Sequence, residues 1–212
     1  MKKGKMILSL FVTVMALFMF VSCTENSSLM DSLIRASNDF KAISYSYDSS
    51  DSESINNIEL TSLSNTEYYV VELSDEGVSD IIQFNQKRLE LIAIHQEILI
   101  EVENIQVLVA SIKDKAQLIK DSEFVLLEDD LASVQTKIET IVLYREGLLE
   151  TRGLAYQRIN DFRGSYTREN LPEVLVMFDE VYEVLEYRLA TLRLGVTEFQ
   201  NIEEILSDYM ES

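Results

Sequence analysis

The sequence predicts an all-α protein, an antiparallel bundle of three long, coiled-coil-like helices with a shorter amino-terminal helix as a candidate fourth member. Apolar residues recur at helical spacing through most of the chain after residue 78. One Pro and six Gly in 212 residues favour long helices over many turns. The short strand-like run 68–71 has no evident partner strand, and a single strand makes a poor sheet.

The first 22 residues have the pattern of an export signal. A basic stretch, residues 1–5, precedes an apolar run from Met6 to Val21, which ends at Ser22 and Cys23. Sixteen helical residues cover roughly 24 Å, whereas the hydrocarbon core of a bilayer is roughly 30 Å thick. A cleaved signal is therefore favoured, and an uncleaved transmembrane anchor is the alternative.

The end of this signal carries a more specific motif. The segment Phe20-Val21-Ser22-Cys23 resembles the lipobox of bacterial lipoproteins, with Phe20 where Leu is usual. The resemblance implies cleavage between Ser22 and Cys23 and a diacylglyceryl group on the Cys23 thiol, to which an N-acyl chain can be added. It also implies an extracytoplasmic location, anchored by lipid to the cell membrane or the outer membrane. The alternative is an incidental cysteine beside an ordinary cleavage site.

The charge balance restricts the partners of the body. The chain carries 18 basic and 37 acidic side chains, and removal of residues 1–22 takes away three lysines and no acid. The mature chain thus has 15 basic and 37 acidic side chains, a net charge of −22. This balance argues against nucleic acid, where Lys and Arg on phosphates supply much of the affinity, and against electrostatic attachment to anionic lipids. A covalent lipid is the membrane contact that remains.

The residue inventory argues against several chemistries. Cys23 is the only cysteine, so the body has no disulfide, thiolate metal site or cysteine nucleophile. His95 is the only histidine, and the Glu-x-x-His motifs of di-iron bundles are absent. No glycine-rich phosphate loop or serine elbow occurs. The sequence therefore predicts no catalytic residue, no metal site and no cofactor besides the lipid on Cys23.

The chain divides into a signal peptide (1–22), an amino-terminal segment (23–74) and a helical bundle (75–212). In the second segment, residues 25–43 have helical apolar spacing, and the polar, acidic residues 44–57 predict a flexible loop. Residues 58–74 are compatible with either an extended or a helical segment. The apolar positions of the short helix are Leu29, Leu33, Ala36, Phe40 and Ile43.

The bundle segment begins with a heptad seam over about five repeats, which predicts a long packing helix from about residue 78 to Ile119. The seam then slips by one residue, which predicts a tight turn with Asp121 or Ser122 as the next N-cap. Its apolar positions are Phe84, Leu91, Ile98, Val102, Ile105, Val109, Ile112, Ala116 and Ile119.

Two further helices follow from the continuing pattern. The second is predicted to run unbroken to Phe162, with Gly164 at its C′ position. The third is predicted to begin with Asn170 as the cap and Pro172 in the first turn. The apolar seam of the second helix comprises Leu127, Leu131, Val134, Ile138, Ile141, Leu148, Ala155 and Ile159, and that of the third comprises Val174, Phe178, Val181, Leu185, Leu192, Phe199, Ile202, Leu206 and Tyr209.

Five polar residues interrupt the seams and are the candidate site of the body. A turn at 121–122 predicts that Glu97 faces Arg145 and that Glu90 faces Arg152. Such pairs either fix the register of the helices or line a polar slot for a small anion or ligand. The small residues Gly147, Gly153, Ala155 and Gly195 either line such a slot or permit close helix contact. The five candidates are Arg88, His95, Arg145, Arg152 and Arg188.

Two functions fit these features. The first is a non-catalytic, membrane-anchored lipoprotein whose helical rod binds a protein or envelope partner. The second is an extracytoplasmic ligand carrier or enzyme that uses the polar seam residues. Long seams can also pair between chains, so an oligomer is compatible with both.

Overall fold

The computed structural model describes residues 26–45, 55, 58, 75–122, 125–162 and 170–211. The described residues 26–45 are all helical and are called α1. Helix α1 is followed by α2 (Asp75–Asp121), α3 (Glu128–Glu150), α4 (Leu154–Asp161) and α5 (Leu171–Glu211). These described ranges contain no strand, and the protein is all-α, as predicted.

The two longest helices, α2 and α5, run parallel to each other. Lys87 forms an ion pair with Asp179, and Lys115 forms one with Glu203, at 3.0 Å between Nζ and Oε1. Ser111 and Lys115 donate hydrogen bonds to Glu203 and Ser207, in each case 92 residues further along the chain. The same offset at both ends of the pair means that the two helices share one direction and one register.

Helices α3 and α4 run in the opposite direction along α5. Near the start of α3, Asp130 accepts a hydrogen bond from Tyr209, close to the end of α5. Further along α3, Lys137 pairs with Glu198 at 3.0 Å. In α4, Arg158 pairs with Glu180 at 3.4 Å, so the partner's number falls as the chain advances.

Helix α1 also packs against the α2/α5 pair, in the direction opposite to both. Asp31 accepts a hydrogen bond from Lys120 near the end of α2. Phe40, nine residues later, meets Phe199 edge-on, with ring centroids 5.4 Å apart. The buried apolar residues of α1 are Leu29, Met30, Leu33, Ala36, Phe40 and Ile43, five of which form the predicted apolar face.

The core follows the predicted seams. Every apolar seam position of α2, from Phe84 to Ile119, is buried, as is every one of α5 from Val174 to Leu206. In the second seam, Leu127 is an exception, with 68% of its surface exposed, and Leu131 is only partly buried; the other apolar positions are buried. Ile55 and Ile58 add to the same core from the segment that precedes α2.

The second predicted helix is wrong in one respect, because it is broken into α3 and α4. The break occupies Thr151–Gly153, and Gly153 has φ of +73°, the left-handed region that glycine adopts without strain. Gly153 falls between apolar seam positions, so the seam spacing continues across the break. The end predicted at Gly164 lies outside the described residues.

The predicted N-cap of this helix is also wrong. Ser122 donates to the carbonyl of Ile119 and so ends α2. Helix α3 begins at Glu128, six residues after Ser122, with Leu127 at its N-cap position. The start of α5 at Leu171, directly after Asn170, agrees with the prediction.

None of the described helices combines the length and the apolar character needed to cross a membrane.

Candidate functional site

The five polar seam residues differ in their surroundings. Arg188 and His95 are buried, each with 1% of its surface exposed. Arg88 and Arg145 are half-buried, and Arg152 is exposed. Because α2 and α5 share an offset of 92 residues, His95 and Arg188 lie at nearly the same height of the bundle. Of the five candidates, His95 and Arg188 are therefore buried at a similar position along the bundle axis, whereas Arg152 lies at the surface.

Arg188 contacts the break between α3 and α4. Its Nη1 donates to the carbonyl oxygen of Leu148 at 2.9 Å and to the Thr151 hydroxyl oxygen at 3.0 Å. The last carbonyls of a helix have no partner within the helix and carry the negative end of its dipole. A buried guanidinium therefore stabilises the end of α3 from the neighbouring helix.

Thr151 completes this arrangement. Its hydroxyl lies 3.2 Å from the carbonyl of Gly147 and 3.3 Å from that of Leu148, within hydrogen-bond distance of both. The chain then turns at Gly153 and resumes as α4. Arg188, Thr151 and Gly153 together account for how the core accommodates a helix end in the middle of a packed segment.

The ion pairs predicted between the first and second helices are not found among the described residues. Instead, Arg193 of α5 forms ion pairs with Glu97, at 2.7 Å, and with Glu101, at 3.3 Å. Arg145 pairs with its neighbour Glu146 at 2.6 Å. The prediction failed because α2 forms its polar contacts with α5, about 92 residues away, instead of with the helix that follows it in sequence.

Two of the small residues permit close helix contact. A Cβ atom on Gly195 would lie 2.5 Å from the Phe40 ring, and one on Gly147 would lie 2.5 Å from the Tyr187 hydroxyl. Real Cβ atoms do not approach other heavy atoms so closely, so glycine is needed if these side chains keep their positions. At both positions the close-contact alternative describes the structure better than a cavity does.

Two of the grooves on the described part of the surface are large enough for a small ligand, and Arg188 and His95 line neither of them. The first, about 380 Å³, lies between α2 and α5 and is lined by Glu90, Glu97, Glu186 and Arg193 among others. Three carboxylates face one arginine, which is already paired with Glu97 and Glu101. This groove therefore disfavours an anion. The second, about 460 Å³, lies beside the helix break, where Arg158 pairs with Glu180.

A half-buried cluster joins α2 to the carboxyl-terminal part of α5. Ser111 donates to Glu203, and Lys115 donates to Glu203 at 3.0 Å and to Ser207 at 2.7 Å. The hydrogen bond from Ser111, with further help from Lys115, holds the pKa of Glu203 below its ordinary value although partial burial raises it. The cluster therefore favours the ionised carboxylate in the folded state.

The lowered pKa predicts a pH dependence. A carboxyl group whose folded pKa is depressed stabilises the fold above its unfolded pKa of about 4.3, and this contribution is lost as the pH falls through the folded pKa. We expect the wild-type chain to lose more thermal stability between pH 5 and pH 3 than Glu203→Gln does. Glu204→Gln, an exposed neighbour, serves as the control. Identical pH profiles for wild type and Glu203→Gln would rule out this role.

The start of α3 is held by a residue near the end of α5. The Tyr209 hydroxyl accepts a hydrogen bond from the Leu127 backbone N–H at 2.8 Å and donates one to Asp130 at 2.5 Å. Burial and the Asp130 contact raise the pKa of Tyr209 above its ordinary value. The sequence pattern marked Tyr209 as a seam position only, and no local signal links it to a cap 82 residues earlier.

Several predicted features lie outside the described residues. They include the signal peptide, Ser22 and Cys23, and the segment 59–74. Among the described residues, no group of three or more His, Cys, Asp or Glu side chains is arranged to hold a metal ion. Comparisons of the chain with protein-family models, with curated proteins and with solved structures find no match.

Proposed function

We propose that this chain is a bacterial lipoprotein, anchored through Cys23 outside the cytoplasm, whose acidic helical rod binds a protein or envelope partner without catalysis. The rod is proposed to be one elongated antiparallel bundle in which α2 and α5 point one way and the other helices the opposite way. The observation that carries the proposal is the position of α1. Its described residues start at 26, three residues after the only cysteine, and its apolar face is buried in the core.

The short distance between lipid and body has a consequence for orientation. Three residues span at most roughly 10 Å, so a lipid on Cys23 would hold the start of α1 close to the bilayer. Asp31 pairs with Lys120 near the end of α2, and Leu127 and Tyr209 meet nearby. We call this the anchor end of the rod. The opposite end, where Phe84 packs against Phe178, would then stand roughly 50 Å further out.

The lipid makes this attachment sufficient. Each buried methylene contributes about 0.8 kcal/mol, and two acyl chains hold a protein firmly where a single chain holds it only marginally. A body of net charge −22 is repelled by anionic headgroups, so the anchor is expected to be its sole attachment. The structural contacts of Arg188 favour a packing role over a ligand slot, which supports a binding rod over a carrier or enzyme.

The anchor is tested by Cys23→Ala. We expect the variant to lose nearly all lipid labelling and nearly all membrane retention, while its helical content and thermal stability stay unchanged. Ser27→Ala, four residues later, is the control and should stay in the membrane fraction. Membrane retention with lipid labelling in Cys23→Ala would refute the lipid anchor.

The binding function is tested by crosslinking on intact cells at native abundance. Photoreactive residues at exposed positions of the far end, such as Val176, are expected to capture a discrete partner. The same residue at Met210, which is exposed near the anchor end, gives the matched comparison. A rod that captures nothing at any exposed position would argue strongly for the carrier alternative, which a thermal-shift screen against anions and metabolites would then examine.

A further inference from the structure

The outer face of α2 carries a row of exposed apolar residues, spaced seven or eleven residues apart. Its members are 54–66% exposed, although they belong to a helix whose other side is fully buried. At 100° per residue, a step of seven residues rotates the side chain by about −20° around the helix axis, and a step of eleven rotates it by about +20°. The two steps alternate along α2, so all five side chains leave the helix within about 20° of one another. The row is about 54 Å long. We call it the α2 stripe, and it consists of Ile82, Leu89, Ile100, Val107 and Leu118.

The stripe lies opposite the core-facing side of α2. Leu91 and Val109 follow Ile82 and Ile100 by nine residues, which places them about 180° around the helix, and both are buried. No packing within the described chain therefore explains why large apolar side chains recur there. Ile82, Ile100 and Leu118 are 18 residues apart, which is five full turns, so they stay on one side of a straight helix. The buried heptad positions, in contrast, shift around the helix by about 20° per repeat.

From these observations we propose that the α2 stripe is the contact surface between two copies of this chain, aligned parallel. The charge distribution favours this occupant. Along the length of the stripe, the positions of α2 within about 40° of a stripe residue carry no basic group and two acidic ones, Glu103 and Asp114. The others are Asn85, Gln86, Ala93, Gln96, Asn104 and Ser111, the last of which is bonded to Glu203 of α5. In a mature chain of net charge −22, two copies that meet along this strip would bring only these two carboxylates from each copy close to the contact.

The size of the stripe predicts a weak contact. Five side chains of this exposure present roughly 500 Å² of apolar surface, which matches the largest patch on many monomers. Two copies would bury roughly 1,000 Å² together, at the lower limit for a specific interface. Such a pair is expected to be marginal in solution and to form when both copies share one membrane, because confinement raises their effective concentration.

The parallel orientation rests on the proposed lipid anchor. Two rods held by Cys23 at the same end present the same stripe residue at the same height above the bilayer. Each residue would then meet its own counterpart across a two-fold axis. An antiparallel pair would instead bring Ile82 to Leu118 and keep only the central Ile100 opposite itself.

Single-cysteine crosslinking tests the proposal, because the Cys23 thiol is blocked by the lipid. Ile82→Cys, Ile100→Cys and Leu118→Cys are oxidised in membrane vesicles from the expressing cells. We expect all three to form disulfide-linked dimers, since a disulfide needs Cα atoms about 4.4–6.8 Å apart. Leu143→Cys, 69% exposed on α3, is the matched control and should remain monomeric. Adding Leu89→Gln and Val107→Gln to Ile100→Cys should lower its dimer yield about ten-fold or more.

Each other outcome overturns a defined part of the proposal. Dimers no more abundant than those of Leu143→Cys would show that the stripe is not a self-contact. Dimers at Ile100→Cys alone, with mixed dimers of Ile82→Cys and Leu118→Cys, would show an antiparallel pair. Flotation of the chain with lipid vesicles is measured on the same samples, and a chain that does not float contradicts the anchor whatever the crosslinks.

Discussion

Replacing Phe40 by alanine is expected to lower the free energy of unfolding by roughly 3–5 kcal/mol, the usual cost of deleting a fully buried aromatic ring. Phe40 is 0% exposed, meets Phe199 edge-on and lies directly over Gly195. Its loss removes apolar burial and the aromatic contact, and it leaves a cavity between α1 and α5. For a chain of this size, the melting temperature should fall by roughly 10 °C.

Tyr45→Ala is the matched control for this prediction. Tyr45 is an aromatic residue of the same helix, but 54% of its surface is exposed, so a change within about 0.5 kcal/mol is expected. Chemical denaturation of the soluble body, residues 24–212, measures both variants. Equal stabilities for Phe40→Ala and wild type would mean that α1 is not part of the core, and the short connection between lipid and body would lose its structural basis.

Replacing Arg188 by alanine is expected to cost roughly 3–5 kcal/mol, because two effects act together. Arg188 is the largest fully buried side chain among the described residues, so the truncation leaves a cavity. It also removes charged hydrogen bonds to the Leu148 carbonyl and the Thr151 hydroxyl at the end of α3. The break between α3 and α4 should therefore become the least protected part of the core in hydrogen exchange.

Two further variants separate these effects. Arg188→Met keeps most of the side-chain volume and loses the hydrogen bonds, so its loss of stability should lie between wild type and Arg188→Ala. Arg152→Ala, at an exposed seam position, should change stability by less than about 0.5 kcal/mol. If Arg188→Met proved more stable than wild type, Arg188 would lower the stability of the fold. A ligand slot would then be the better explanation for its presence.

The helices themselves were predictable because burial has a period in the sequence. The seams from Phe84 to Ile119 and from Val174 to Leu206 are buried as predicted, since a helix with one apolar face must turn it to the core. The start of α5 was predictable because Asn170 and Pro172 act on adjacent backbone groups. Apolar periodicity and cap residues act over short stretches of sequence, so they can be recognised without knowing which helices pack together.

The pairing of the helices was not predictable from the same pattern. The Lys115–Glu203 and Arg193–Glu97 ion pairs join residues about 90 positions apart, and nothing in either local sequence specifies the other. The prediction that Glu97 faces Arg145 assumed that the polar contacts of α2 lie on the next helix. In the structure, Glu97 instead pairs with Arg193 of α5.

The sequence predicted Arg188 as a candidate site residue but did not predict what it contacts. The seam pattern identified Arg188 as a polar interruption, but its contact with the end of α3 depends on the break at Thr151–Gly153. That break was hidden because Gly153 falls between seam positions whose apolar spacing continues on both sides. The exposed α2 stripe was not predicted because its residues lie outside the heptad pattern, which marks only the opposite face of the helix.

We propose above that a lipid on Cys23 holds the acidic rod at a membrane. Intact-mass and peptide mass spectrometry of the chain extracted from membranes tests it most directly. We expect a chain that lacks residues 1–22 and begins at Cys23, with a diacylglyceryl group on the sulfur and, where present, an N-acyl chain. A chain that retains Met1, or one that begins at another residue with an unmodified cysteine, would contradict it.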